Sequence, residues 1–241
     1  MSGFVDIHTH ILPGVDDGAA DLQEACALVR LARQDGTRTL FLTPHNSGKG
    51  GDYSPEQLRE GFAQLQAQVA AEMPDMQLHL GMEVRYDSDA PEELLRGRLL
   101  TMDGSEFVLL EFSTRATRSQ ILMGVTETVR YGFTPIIAHT ERCESIRTNP
   151  ALIDEVRSVG GYIQINADSV LGVRGFSVKR LAHRLLKTGK VDFVASDAHD
   201  PQTRPPHLRQ CFLRICKKYG EEYAARVFWE NAGSILRKES E

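Results

Sequence analysis

What most restricts the fold of this chain is a recurring event: a short apolar run stops on a side chain that binds metal ions. FVDIHTH closes the first run with His8 and His10, and FVASDAH closes the last with Asp197 and His199. Similar runs rich in Val, Ile, Leu and Phe recur between them, and strands are expected at residues 5–8, 39–43, 77–84, 107–111, 135–139, 162–166 and 192–196. The intervening stretches have helical spacing and glycine stops: 22–34, 55–72 behind an N-capping Ser54, 119–131, 150–159 and 178–187. Alternating strand and helix predicts parallel strands with crossover helices, and near-continuous apolar strands fit a sheet covered on both faces. The expected fold class is α/β: a seven-stranded barrel of the TIM type if the sheet closes, a doubly wound sheet if it stays open.

With 241 residues, 41% of them hydrophobic, the chain suffices for one large core, and a single domain spanning 1–241 is expected. Its net charge of -5, with lysines and arginines scattered among acids, offers no basic stripe for a phosphate backbone, which argues against nucleic acid. No apolar run approaches the roughly 18 residues of a membrane helix, and nothing near Met1 reads as a signal peptide, so a cytoplasmic protein is expected. Cys26, Cys143, Cys211 and Cys216 are too few and too irregular for a disulfide framework or a zinc ribbon, and reduced, mostly buried thiols are expected. The only low-complexity patch, 47–51, reads as a mobile loop.

Residues two apart on a strand share a face at ~7 Å spacing, so His8 with His10, and Asp197 with His199, form chelating pairs. The other runs repeat the event singly: His45 in LTPH, Glu83 in GMEV, Glu111 in LLEF and His139 in IIAH. One histidine at a strand end is ordinarily a hydrogen-bonded or solvated side chain. Such groups at the same end of six strands are not, because barrel chemistry sits where strands end. The sixth strand departs from the pattern, ending on Gln164 and Asn166, which are polar but poor ligands. Mixed imidazole and carboxylate donors suit manganese, iron or zinc in a multinuclear site. Of the acids in VDDG, either one caps the following helix or adds a carboxylate ligand, and Asp17 is favoured for the second role.

Two arginines point to a substrate class. Arg142 in HTER and Arg204 before Pro205-Pro206 fall in loops on the same rim, and an arginine fork binds phosphate oxygens while metal ions bridge the same group. The alternative for each is a surface ion pair with an acid such as Glu144 or Asp200. His79 reads as a hydrogen-bonded core histidine, His183 as solvent-facing, His207 as a neighbour of the site, and Arg115 and Arg118 as exposed loop residues. No cysteine opens the Cys-x5-Arg loop that a thiolate phosphatase needs.

DIHTH, VDDG, a lone histidine after strand two, glutamates after strands three and four, AHTER, and SDAH followed by RPP together resemble the polymerase and histidinol phosphatase (PHP) family. More narrowly, they resemble its bacterial manganese-dependent protein-tyrosine phosphatases of capsule and exopolysaccharide loci, over essentially the whole chain. The resemblance implies a distorted (β/α)7 barrel with three divalent metal ions, manganese foremost and iron or zinc also acceptable. Carried over motif by motif, His8, His10, Asp17, His45, Glu83, Glu111, His139, Asp197 and His199 are metal ligands, and Arg142 and Arg204 bind phosphate. The expected reaction is attack on phosphotyrosine by a metal-bound hydroxide, with the tail of a bacterial tyrosine kinase as partner. The rivals are a small-molecule phosphatase, such as one acting on histidinol phosphate, and a metal-binding regulatory protein without turnover.

Overall fold

Among the described residues, eight strand segments, each parallel to its neighbours, form two sheets wrapped by helices. A computed structural model of the chain describes residues 3–46 and 53–236, so the 47–51 patch expected to be mobile lies outside the described residues. The strands are β1 Phe4–Thr9, β2 Thr37–Leu42, β3 Gln77–Leu80, β4 Glu83–Arg85, β5 Phe107–Glu111, β6 Thr134–Ile137, β7 Tyr162–Asn166 and β8 Phe193–Ala195. One sheet has the order β1-β2-β3 and the other β4-β5-β6-β7-β8. Parallel bridges link the two sheets at both edges, Thr9 to Ala198 and His45 to Glu83.

The third expected strand is interrupted. Gly81 and Met82 divide 77–84 into β3 and β4 where the chain passes close to the Met102–Gly104 turn, and a Cβ on Gly81 would lie 2.9 Å from the Met102 sulfur. The Gly81 N–H still donates to Leu42 O at 2.8 Å and the Glu83 N–H to Pro44 O at 3.0 Å, so the segment keeps its neighbour across the break.

Local chemistry explains the helix ends. Asp21 accepts from the Glu24 N–H to start Leu22–Asp35, and Gly36 ends it at φ 111°, a left-handed conformation that costs glycine nothing. Ser54 with Gln57, and Thr117 with Gln120, form reciprocal capping boxes for Pro55–Glu72 and Arg118–Arg130. Arg118 thus begins a helix, where it pairs with Glu155, instead of lying in a loop. His183, expected in solvent, is half-buried with Nδ1 2.7 Å from the Tyr219 hydroxyl, because Tyr219 at the end of the helix Leu208–Tyr219 lies against its ring. Cys26, Cys143 and Cys211 are buried, Cys216 is half-buried, and all four are free thiols. Among the described residues no helix is long and apolar enough to cross a membrane.

Alternation along the strands builds two apolar layers. Ile7, Phe41, Phe107, Leu109, Ile136, Phe193 and Ala195 pack with one another inside the ring of strands. Their sequence neighbours Leu40, Leu42, Val108, Leu110, Ile137 and Val194 face the helices with Leu28, Leu65 and Val156. Residues at the strands' carboxyl ends stand above that inner cluster, which closes the floor beneath them. Leu109 is fully buried there, so Leu109→Ala should lower unfolding free energy by roughly 2–5 kcal/mol in urea denaturation; a loss under ~1 kcal/mol would mean that the inner cluster is not closely packed.

Candidate metal centre

Parallel strands deliver their carboxyl ends to one face, and a buried carboxylate, Glu83 on β4, is the hub of what gathers there. Its Oε2 lies 3.3 Å from His8 Nε2, 3.3 Å from His10 Nε2 and 2.9 Å from His45 Nδ1, while Oε1 lies 2.8 Å from His139 Nε2. Asp197 Oδ1 approaches the first two rings at 3.6 and 3.5 Å. Asp17 Oδ1 stands 3.4 Å from His45 Nε2 and 3.5 Å from His199 Nε2, and Glu111 Oε1 stands 3.9 Å from His139. The structure therefore brings together all nine residues singled out as ligands. Among the described residues, three overlapping groups have donor atoms spaced for a metal ion: His10, Asp17, His45 and His199; His8, His10 and Asp197; His45, Glu83 and Glu111. His139 borders the third group through both glutamates.

The donor set fits divalent cations better than it fits itself. His8 Nε2 and His10 Nε2 face each other at 3.2 Å, a contact in which only one nitrogen can donate. Glu83 Oε2 is buried amid three ring nitrogens yet has no hydrogen-bond partner of acceptable geometry. A cation among these lone pairs satisfies what protons cannot.

Behind the donors, other groups aim them. His10 Nδ1 is 2.6 Å from Asp16 Oδ2, and Asp16 also accepts from the N–H groups of Gly18 and His45. Of the adjacent acids, Asp16 thus stands behind His10 while Asp17 faces the cluster. Gly18 permits the turn, since a Cβ there would be driven into the His10 carbonyl oxygen. His199 Nδ1 meets Asp197 O at 2.9 Å, which leaves its Nε2 toward Asp17. His139 and Asp197 are left-handed, at φ 31° and 56°, a strained conformation for residues other than glycine that turns each side chain inward directly beyond a strand.

Gln164 and Asn166, set aside as poor ligands, form a buried amide bridge across the site. Gln164 Oε1 accepts from the His139 N–H at 2.7 Å and lies 3.3 Å from His8 Nδ1. A carbonyl oxygen only accepts, so the neutral His8 ring carries its proton on Nδ1 and turns the Nε2 lone pair to the cluster. Gln164 Nε2 donates to Asn166 Oδ1 at 2.8 Å, and Asn166 Nδ2 donates to Asp197 Oδ2 at 2.7 Å. Their inward parity on β7 was the available signal; their partners were not visible in sequence.

Electrostatics follow from this crowding. Burial disfavours charge on Glu83 and Asp197, yet the surrounding histidines, with Arg204 at Asp197, hold both carboxyls well below the usual range. Burial likewise opposes the His8 and His10 cations, and the carboxylates beside them overcome it and raise both rings. Asp16 is buried too, but its bond to His10 brings it to about 2. Burial and then the His10 cation push His199 down to about 3. At the opening, Arg204 Nη2 lies 3.0 Å and Arg142 Nη1 3.4 Å from Asp197 Oδ2. His79 lies apart from the cluster, bonded to Asp103 at 3.0 Å and stacked on Phe41.

Fold and site together define a class: a parallel α/β protein whose strand ends converge on a metal-competent centre flanked by arginines. The chain belongs to the CpsB/CapC family of capsular polysaccharide synthesis, whose model matches residues 4–237. It is similar to the tyrosine-protein phosphatase CpsB of Streptococcus agalactiae, 33% identical over 239 residues that cover 97% of this chain and 98% of that one. A chain from the crystal structures of YwqE from Bacillus subtilis and CpsB from Streptococcus pneumoniae, described as metal-dependent tyrosine phosphatases, superposes with a TM-score of 0.90 at 32% identity, covering 98% of this chain and 95% of that one. An amidohydrolase from Mycoplasma synoviae shares the fold at 13% identity and a TM-score of 0.65, covering 100% of this chain and 89% of its own.

The carboxylates around His8 and His10 favour the protonated rings, so an entering cation competes with protons for these nitrogens and releases those bound there. Metal affinity should therefore strengthen as pH rises, and the calorimetric enthalpy of Mn2+ binding should differ between buffers of unlike ionisation enthalpy; a buffer-independent enthalpy would refute the proton release. Gln164→Leu should weaken Mn2+ binding about 10- to 100-fold in competition with a chelating dye. Affinity within twofold of the parent would show that His8 needs no such partner.

Proposed function

We propose that this chain is a metal-dependent protein-tyrosine phosphatase, a reading that rests on the arginines beside a metal-competent cluster. Arg142 and Arg204 both reach toward Asp197 Oδ2, which is also the acceptor for Asn166. In this reading the eight strand segments work as one distorted seven-stranded barrel, interrupted at Gly81, and the chain acts as a single domain. His8, His10, Asp17, His45, Glu83, Glu111, His139, Asp197 and His199 would hold three divalent ions, manganese foremost, with iron or zinc able to take the same donors. Ions there supply Lewis-acid charge and lower the pKa of water coordinated to them.

The chain's own groups do the rest. The guanidinium forks of Arg142 and Arg204 bind phosphoryl oxygens and offset the charge that spreads over them as the ester bond breaks. Asp197 keeps both forks at the mouth of the cluster, and Asp16 and Gln164 keep the His10 and His8 rings aimed beneath it. A tyrosine phenol has a pKa near 10, roughly five units below water, so its departure needs little help from an acid. Cys143 is no rival nucleophile, because burial pushes its thiol up to about 12. The substrate would be a phosphotyrosine protein, with the tail of a bacterial tyrosine kinase that controls polysaccharide export as the foremost case, in the cytoplasm.

Chelator-stripped protein should release no phosphate from a phosphotyrosine peptide, regain activity with Mn2+, Fe2+ or Zn2+, and lose at least 100-fold in His199→Ala, while Cys143→Ser stays active. Silence with every metal on peptide, alongside turnover of histidinol phosphate, would replace the proposal with a small-molecule phosphatase.

A further inference from the structure

We infer that the turn at residues 173–176 is a docking surface for polypeptide next to the phosphotyrosine, taking an acidic segment with an apolar side chain; this rests on the phosphatase reading. Val173 is 64% exposed and Phe176 79% exposed, two large apolar groups left in water three positions apart. Their backbone is well tied. The N–H groups of Gly172 and Val173 donate to Asp168 O at 2.9 and 3.0 Å, that of Gly175 donates to Gly172 O, and Lys179 Nζ and Arg214 Nη1 both donate to Leu171 O. Gly172 and Gly175 take φ of 98° and 93°, which only glycine adopts freely, so the turn holds its apolar side chains outward by construction.

Its position is set by topology. The turn follows β7 and the short helix Ala167–Leu171 and starts the helix Phe176–Lys187, so it belongs to the connection that leaves the carboxyl end of β7, the end at which the candidate metal centre opens. The same helix packs against the Thr140–Arg142 turn, which carries one phosphate-binding arginine. Arg174 Nε, within the turn, is 3.8 Å from Asp168 Oδ2. The apolar turn thus opens the helix that touches the phosphate-site turn.

Charge selects the occupant. Residues 169–182, which include the turn and the first turns of its helix, contain Arg174, Lys179 and Arg180 and no acid, in a chain whose net charge is -5. A small phosphomonoester bound between Arg142 and Arg204 gains nothing from such a surface, whereas an acidic polypeptide with an apolar flank gains both attraction and buried area.

The test compares kcat/KM of the metal-loaded protein on p-nitrophenyl phosphate, on a phosphotyrosine peptide with Glu and Leu flanks, and on one with Gly and Ser flanks. The parent should favour the Glu/Leu peptide, and in Val173→Ser/Phe176→Ala its ratio to p-nitrophenyl phosphate should fall about tenfold. Leu213→Ala, an exposed apolar residue beside Gly3 and Gly36 where the strands begin, should leave that ratio in place. An unchanged ratio in the double variant, or a parent indifferent to the flanks, overturns the docking surface while the phosphatase reading stands. No phosphate release from any of the three substrates removes both. A dimer of the parent in sedimentation that the double variant abolishes would reassign the turn to self-association and likewise overturn it.

Discussion

A buried carboxylate that cannot be satisfied by protons alone governs this molecule. Glu83 sits within 3.3 Å of nitrogens from His8, His10, His45 and His139, which arrive from the ends of three strands, β1, β2 and β6. Burying one ionised group in isolation costs far more than a fold of this size can offset, so the arrangement persists only because opposite charges are buried with it. Parallel strands make that possible by sending every carboxyl end to one face. The inner cluster of Ile7, Phe41, Leu109, Ile136 and Phe193 closes the space beneath.

Around that hub the chain spends unusual backbone and unusual side chains. His139 and Asp197 are left-handed, Gly18 fits where no Cβ can, and the Gln164 and Asn166 amides span from the His8 ring to the Asp197 carboxylate. Each turns a donor atom inward or fixes which ring nitrogen carries a proton. Strain and buried amides of this kind are stable only where the surrounding packing determines them, and here the strands on either side do so. The same crowding leaves Arg142 and Arg204 partly open at the mouth.

Much of the site was legible because every donor but Asp17 stands at or just beyond the end of an apolar run, and strand period 2 makes such pairs chelating. The alternation of strands and helices carried the α/β architecture, and Ser54, Gly36 and the glycine stops marked helix ends through local chemistry. Other features lacked a local signal. Gly81 does not announce that a strand breaks there; the approach of Met102 does. Asp16 and Asp17 are adjacent and identical in type, and only the turn back to His10 separates their roles. Arg118 finds Glu155, and His183 finds Tyr219, across distances that no periodicity encodes.

Residue type and spacing alone therefore determined which side chains can bind metal, at which ends of which elements they stand, and that the strands run parallel, because these follow from short-range sterics and hydrophobic periodicity. Tertiary structure decided which atoms meet: that Glu83 is the hub, that Gln164 and Asn166 bridge the site, and that both arginines share Asp197. The physical reason is that such contacts depend on strand register and loop return, which are set by the packing of the whole chain.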